Sequence, residues 1–254
     1  MDRRAFLGAG AAAGLGALAG CSTAVGAVAP PAVPEASLSE GGWTRIDQSQ
    51  RTVFEREVLG TRIEAKAHTL VFEDAQLRRQ LDEKTLGNVD GTVAVISASH
   101  VDVSGDLDGL PGVRSEILSR TEAAARERFR ERMRAQGLTD VERTGTGELG
   151  IDTGETARLT TYAAAFPVDE FSVPLGESES LTVEGGALGV HGDLAVWHHR
   201  DYVLIAGGVY PAENFTRQVE TALTSAITVD VSVDLGLEPA AYRKEVRGIL
   251  TAVE

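Results

Sequence analysis

The sequence predicts an α+β fold built on a largely antiparallel sheet with helices packed on both faces, an α/β/α sandwich. Alternating, β-branched segments follow one another through short links that contain glycine, which is typical of antiparallel hairpins. Two segments with apolar residues at helical spacing lie far apart in the chain, at residues 113–136 and 238–253. Residues 202–210 are apolar throughout, as expected of a central strand that is covered on both faces.

The first elements of the folded region are a hairpin, a short helix and a strand. Residues 52–58 and 61–72 alternate on either side of Gly60, which predicts the hairpin. Residues 73–86 place two leucines four positions apart among charges, which predicts a short helix. Residues 92–103 alternate again and predict a strand.

The strongest helical pattern covers residues 113–136, and Gly137 is placed to end it. Because the apolar side chains recur every four residues, we expect them to face the sheet. This apolar row consists of Ile117, Thr121, Ala125, Phe129 and Met133.

The remaining sequence predicts a meander of strands that is closed by helices. Apolar residues four positions apart predict a helix over residues 213–227, and residues 228–233 alternate like a short strand. Residues 238–253 predict the last helix, with Pro239 in its first turn. The strand patterns before them cover residues 141–149, 156–166, 180–190, 193–198 and 202–210.

The N-terminus has the order of a signal peptide, with a basic start, an uncharged run and small residues before Cys21. Arg3 and Arg4 precede Ala-Phe-Leu, as in twin-arginine export signals. Residues 18–21, Leu-Ala-Gly-Cys, resemble a lipobox, in which a lipid is attached to the cysteine thiol. Residues 1–20 are therefore predicted to be the signal and Cys21 the lipidated mature N-terminus. A plain signal peptide cut elsewhere and an uncleaved weak anchor are the alternatives.

Residues 22–42 are rich in alanine, serine, glycine and proline without periodicity, which predicts a disordered tether. Fully extended, it would reach up to ~65 Å from the membrane. A single α+β domain is predicted for residues 43–254. Because Cys21 is the only cysteine, the mature domain forms no internal disulfide. We expect the protein on the outer face of the cell membrane, with the export machinery and, through its lipid, the membrane as partners.

The charge of the chain argues against nucleic acid as a partner. Residues 1–20 contribute a net +1 to the formal charge of −14, so the chain from Cys21 onward carries −15 and repels phosphates. Only Lys66, Lys84 and Lys244 are lysines. Acidic composition with scarce lysine indicates a halophilic protein, and an ordinary acidic protein from a high-GC genome is the alternative.

The sequence contains no complete catalytic or cofactor motif, so no catalytic residue, metal or cofactor is predicted. Residues 145–150 fit G-x-G-x-x-G, but a strand follows them, which favours a glycine-rich β-turn. Residues 104–115 lack the closing glutamate of a calcium loop and indicate an acidic loop before a helix. His198 and His199 are adjacent in a strand pattern, so exposed turn histidines are favoured over a metal site that would include His191.

Two surface features are candidate sites of recognition or modification. Arg126, Arg130 and Arg134 form a row on the long helix, which predicts either a solvated face with helical ion pairs or a docking surface for an acidic protein or glycan. Asn214 begins the single Asn-x-Thr sequon, so it is a candidate glycosylation site or, equally, a cap of the helix predicted there.

The chain also resembles a family of haloarchaeal twin-arginine lipoproteins whose function is unknown. That resemblance implies a surface location and no particular activity. The order of long helix, antiparallel meander and closing helix over residues 113–227 is similar to the Mog1/PsbP-like fold. The segments that resemble the lipoprotein family are the signal and residues 73–90, 137–162, 195–198, 206–215 and 234–246.

Together these features predict a surface-anchored lipoprotein that is a non-catalytic binding or envelope-associated module. The alternative is a hydrolase or other enzyme whose site is assembled from scattered histidine, aspartate and glutamate residues. A deep cleft that collects such residues would favour the enzyme, and a surface without one would favour the module.

Overall fold

The computed structural model describes residues 28–58, 61–87, 91–104, 113–174, 180–224 and 227–254. The described chain contains four helices and eleven strands. The helices are α1 (Glu35–Glu40), α2 (Ala75–Thr85), α3 (Val113–Ala135) and α4 (Pro239–Thr251). The strands are β1 (Trp43–Val58), β2 (Thr61–Asp74), β3 (Val95–Ser104), β4 (Thr139–Gly150), β5 (Thr156–Val168), β6 (Phe171–Pro174), β7 (Ser180–Val183), β8 (Gly186–His199), β9 (Tyr202–Pro211), β10 (Thr216–Thr224) and β11 (Ile227–Asp234).

Seven strands form one sheet in the order β1-β2-β3-β9-β8-β5-β4, and every neighbouring pair is antiparallel. The predicted α+β class with a largely antiparallel sheet is therefore confirmed. The predicted hairpin is present as β1 and β2, and β9 occupies the centre of the sheet, as its apolar sequence predicts. The pairs β6–β7 and β10–β11 form two further small sheets.

The long helix α3 packs on the middle of the sheet through its apolar row. Thr121, Ala125, Phe129 and Met133 are buried, whereas the side chain of Ile117 lies outside the described residues. A Cβ atom on Gly207 of β9 would lie 2.8 Å from the Phe129 ring, and one on Gly192 of β8 would lie 3.0 Å from it. Because glycine has no side chain, these two positions leave room for the Phe129 ring.

The C-terminal helix α4 packs on the same central strand. Val246 and Leu250 are buried and contact the position that a Cβ on Gly208 would occupy. Pro239 lies at the start of α4, as predicted. None of the helices in the described ranges combines the length and the apolar character that crossing a membrane requires.

The helix predicted over residues 213–227 is wrong, because Thr216–Thr224 is strand β10 and Ile227 begins strand β11. The apolar side chains at 215, 219, 223 and 227 are four apart, and four is also a multiple of the two-residue strand period. Helical spacing and strand alternation were therefore indistinguishable there, and the β-branched content of the segment favours a strand. The similarity to the Mog1/PsbP-like fold depended on a closing helix over these residues, and the structure has strands there instead.

The disordered tether predicted for residues 22–42 differs from the structure over residues 28–42. Helix α1 forms there, with Leu38 buried in the core. The backbone of Ala32 exchanges two hydrogen bonds with Glu254 at the other end of the chain. Such a contact between distant segments leaves no local pattern in the sequence, and residues 22–27 lie outside the described part.

At two places in the sheet, glycine residues lie where the sequence predicted a break or a turn, and the structure has a continuous strand at both. Strand β8 runs through Gly192 without the break that was predicted between residues 190 and 193, because that glycine accommodates Phe129. Residues 145–150 lie within the edge strand β4 and not in a β-turn. In both places glycine continues an extended strand.

Candidate functional site

One flank of α3 and the adjoining strands enclose a groove with a volume of about 300 Å³. Strand residues form its floor and helix residues form its wall. The floor consists of Arg51, Val53, Ala67, Thr69, Ser97, Ser99, Val101, Leu194 and Ile205, and the wall of Thr121, Ala124, Ala125, Arg128, Phe129, Glu131, Arg132 and Ala135.

The antiparallel register brings the floor residues onto one face of the sheet. Arg51 of β1 lies opposite Ala67 of β2, which in turn lies opposite Val101 of β3. One pleat further along, Thr69 lies opposite Ser99. Because strand residues alternate between the two faces, these neighbouring rows share the face that α3 leaves partly open.

Three arginines converge on this groove from two distant parts of the chain. Arg128 and Arg132 are one helical turn apart on α3, and Arg51 reaches the groove from β1. Within the described residues, none of the three forms an ion pair. Partial desolvation lowers the pKa of the Arg51 side chain, which is exposed at its outer end, and the charges of Arg128 and then Arg132 lower that pKa further. The three guanidinium groups therefore repel one another, and Glu131, the one carboxylate among the described lining residues, forms no ion pair with any of them.

Hydroxyl groups line the space beside these cations. The side chains of Thr69 and Ser99 share a hydrogen bond of 2.8 Å between their oxygens. Thr121 is 1% exposed, and its hydroxyl has no hydrogen-bond partner in the described part of the chain. A buried hydroxyl without a partner is costly, so this wall is a place where a ligand atom would complete the hydrogen bonding.

The opposite flank of α3 carries most of the arginine row that the sequence singled out. Arg126 lies 3.3 Å from Glu122, and the same carboxylate accepts a 2.9 Å hydrogen bond from Arg158 of β5. Arg130 pairs with Glu127 at 2.5 Å, and Arg134 is exposed. The structure therefore does not bring Arg126, Arg130 and Arg134 to the groove, which Arg128 and Arg132 on the same helix line instead.

A model of a protein family whose description is a domain of unknown function, DUF6517, matches residues 30–254. The chain belongs to this family. No curated protein and no solved structure matches it. The matched range of the DUF6517 domain begins well before Trp43, in keeping with the ordered segment that pairs with the C-terminus.

In the DUF6517 domain, Asn214 connects the two ends of the β10–β11 hairpin through hydrogen bonds. Its amide nitrogen donates to Asp234 Oδ1 at 2.7 Å, and its amide oxygen accepts from the backbone of Leu237 at 2.9 Å. Asn214 is therefore not a helix cap, because the helix predicted there is absent. A glycan on this nitrogen would compete with the hydrogen bond to Asp234.

The histidines have separate structural roles. His199 is buried, so it is not the exposed turn residue that was predicted, and its Nδ1 lies 2.7 Å from Glu155 Oε1. The exposed His191 ring makes an edge contact with Tyr210. Among the described residues, no group of three or more histidine, cysteine, aspartate or glutamate side chains could hold a metal ion. Most of the predicted acidic loop at residues 104–115 lies outside the described residues.

A buried ion pair on β8 connects the sheet with α4. Asp193 is 2% exposed and accepts from Arg247 Nε at 2.7 Å and from the Tyr210 hydroxyl at 3.0 Å. Burial, followed by the charge of Asp193, raises the pKa of Tyr210 to about 12. These partners satisfy the buried carboxylate internally, so the cluster holds α4 in place and does not form an open site.

Proposed function

We propose that this DUF6517 domain is a non-catalytic binding module for an organic anion, carried on the outer face of the membrane by a lipid on Cys21. The observation that supports it is the convergence of Arg51, Arg128 and Arg132 on one groove, where none of them forms an ion pair with another described residue. In a chain with a formal charge of −14, such a local excess of positive charge is unusual.

An anionic ligand would relieve the repulsion among the three guanidinium groups. Arginine donates two parallel hydrogen bonds to a carboxylate or phosphate and stays charged at physiological pH. The Thr69 and Thr121 hydroxyls line the same groove and supply further hydrogen bonds to a ligand there. A ligand held in this way gains both affinity and a fixed orientation.

The lining of the groove favours binding over catalysis. Its charged groups are three arginines and Glu131, and its other polar groups are serine and threonine hydroxyls. Arginine is too basic to act as a general base, and a hydroxyl needs a neighbouring base to become a nucleophile. Glu131 is the one carboxylate among the described lining residues, and it is exposed and forms no hydrogen bond with a described hydroxyl of the groove, whereas the enzyme alternative would require a base in contact with one.

We further propose that the helices cover both faces of the sheet as an α/β/α sandwich. Gly207 meets Phe129 of α3, whereas the next residue, Gly208, meets Val246 of α4. Consecutive residues of a strand point to opposite faces, which supports opposite positions for the two helices. The groove then belongs to the α3 face alone.

The anchor would hold the domain close to the membrane. Val28 is fixed to the sheet, because its carbonyl accepts from His68 Nδ1 at 2.9 Å and from Gln50 at 3.2 Å. Only residues 22–27 separate it from Cys21, so the chain between them spans at most about 25 Å. This length is much shorter than the reach of the tether predicted from composition. Arg51 follows Gln50 in β1 and lines the groove, so the groove lies at the same edge of the sheet as Val28.

Replacing Cys21 by serine is expected to release the protein into the medium or leave it unprocessed, because the lipid supplies its membrane affinity. Cell fractionation and immunoblotting measure the outcome. As a control, exchanging Arg3 and Arg4 for lysine should retain precursor in the cytoplasm. Unchanged membrane retention of the serine variant would contradict the lipid anchor, and normal export of the lysine variant would contradict the twin-arginine route.

Changing Arg128 and Arg132 together to glutamine is expected to weaken anion binding by at least about 100-fold. Each charge-assisted hydrogen bond contributes about 1.5–3 kcal/mol, which is roughly tenfold or more in affinity. Calorimetric titration with octanoate and with inorganic phosphate, at constant ionic strength, measures the loss.

The matched control changes Arg126 and Arg134 to glutamine, which removes the same charge from the same helix outside the groove. Its anion affinity should stay within about threefold of the wild type, because distant surface charges are screened by salt. Equal losses in the two double variants would show that binding follows net charge. No binding of either anion to the wild type would refute the proposed function.

A further inference from the structure

We propose that the ligand of the groove is amphiphilic, a single short hydrocarbon chain that ends in a carboxylate. This inference rests on the proposed function and names the class of its ligand. The carboxylate would lie among Arg51, Arg128 and Arg132, and the chain would lie against the apolar floor beneath α3.

The lining divides into a charged mouth and an apolar interior. Arg51 and Glu131 are exposed, and Arg128 and Arg132 are half-buried, so the charged groups lie at the mouth. The interior is mainly apolar, and it also contains the buried or half-buried hydroxyl side chains of Thr69, Ser97, Ser99 and Thr121. Its apolar side chains are Val53, Ala67, Val101, Ala125, Phe129, Leu194 and Ile205.

This arrangement suits an amphiphile that enters chain first. Apolar surface gains free energy when it leaves water, so the chain would occupy the interior. The carboxylate keeps its contact with water and with arginine at the mouth, where its desolvation costs least. A bare inorganic anion would use the arginines and leave the apolar walls without contacts.

The size and charge of the groove narrow the ligand class further. A volume of about 300 Å³ is at the lower end for small-molecule sites, which favours a short single chain over a two-chain lipid. Glu131 lines the same groove, so a ligand with additional negative charges would face a carboxylate. A monoanion therefore fits better than a phosphate that carries two charges.

The test is a chain-length series on the folded protein, using acetate, butyrate, hexanoate and octanoate below micelle-forming concentrations. Burying one methylene is worth up to about fourfold in affinity, so burying three or four predicts octanoate up to about 60- to 250-fold tighter than acetate. Titration calorimetry at constant ionic strength measures the series, and inorganic phosphate serves as the bare anion.

A variant that fills the groove tests where the chain lies. Ala124 lines the wall, is only half-buried and sits in a helix, so Ala124→Leu narrows the interior without removing an arginine. We expect octanoate affinity to fall to the level of acetate, while acetate affinity stays unchanged. A thermal melt confirms that the variant is folded, since leucine is a good helix former.

The outcomes separate this inference from the proposed function. Arginine-dependent binding that is equal for acetate and octanoate, or tighter for inorganic phosphate, would overturn the amphiphile and leave the anion site standing. Octanoate binding that survives in the folded Ala124→Leu variant would overturn the position of the chain. Failure of every anion to bind the wild type would overturn both.

Discussion

Truncating Phe129 to alanine is expected to destabilise the domain by about 3–5 kcal/mol, the usual cost of removing a buried phenylalanine ring. The ring is 9% exposed and lies between α3 and the glycines of β8 and β9. It also contacts Tyr162 of β5, with the ring centres 5.4 Å apart. Because Gly192 and Gly207 have no side chains, the two strand positions beneath the ring cannot fill the cavity that alanine would leave. Urea unfolding should show a lower midpoint at an unchanged slope.

Glu127→Ala is the control for this substitution, because Glu127 lies on the same helix and is exposed. Its ion pair with Arg130 is on the surface, so its loss should change the unfolding free energy by only about 0–1 kcal/mol. A Phe129→Ala variant as stable as this control would mean that the α3 helix does not pack on the central strands.

The sequence was sufficient to predict α3, because twenty-three residues of helix allow an apolar row to repeat several times. Strand alternation was equally informative for β2, β5 and β9, where one buried face or full burial leaves a clear pattern. It failed for β10, where residues four apart satisfy both periods. Segment 28–33 could not be predicted either, since its order depends on hydrogen bonds with the C-terminus.

Only the helical side of the groove can be predicted from the sequence, for a related reason. Helical spacing shows that Arg128 and Arg132 share a flank, but it does not show which strands lie beside that flank. Arg51 joins them through the order of strands in the sheet, which local patterns do not encode. Helical ion pairs were one of the two interpretations of the arginine row, and Arg126 pairs with Glu122 in this way. The Arg158 contact that also engages Glu122 depends on tertiary packing.

Replacing Asp193 by alanine is expected to cost about 3 kcal/mol, because it leaves Arg247 and the Tyr210 hydroxyl without their shared acceptor. We take the lower end of the range for broken buried pairs, since the Arg247 side chain is 27% exposed and can turn partly toward water. Asp47→Ala, at an exposed position of β1, is the matched control and should be nearly neutral. Urea unfolding of the purified variants measures both.

A double variant identifies the cause of that loss. Changing Arg247 to methionine in the Asp193→Ala background removes the unpaired cation, while the methionine chain keeps most of the packing of α4 against the sheet. The double variant should therefore recover part of the stability that Asp193→Ala loses, because an absent pair costs less than a broken one. A double variant that is less stable than Asp193→Ala alone would show that Arg247 stabilises α4 through contacts other than this ion pair. The attachment of α4 to the sheet would then depend on the packing of Val246 and Leu250 against Gly208. Truncating these two side chains would in that case be the change that unfolds the domain.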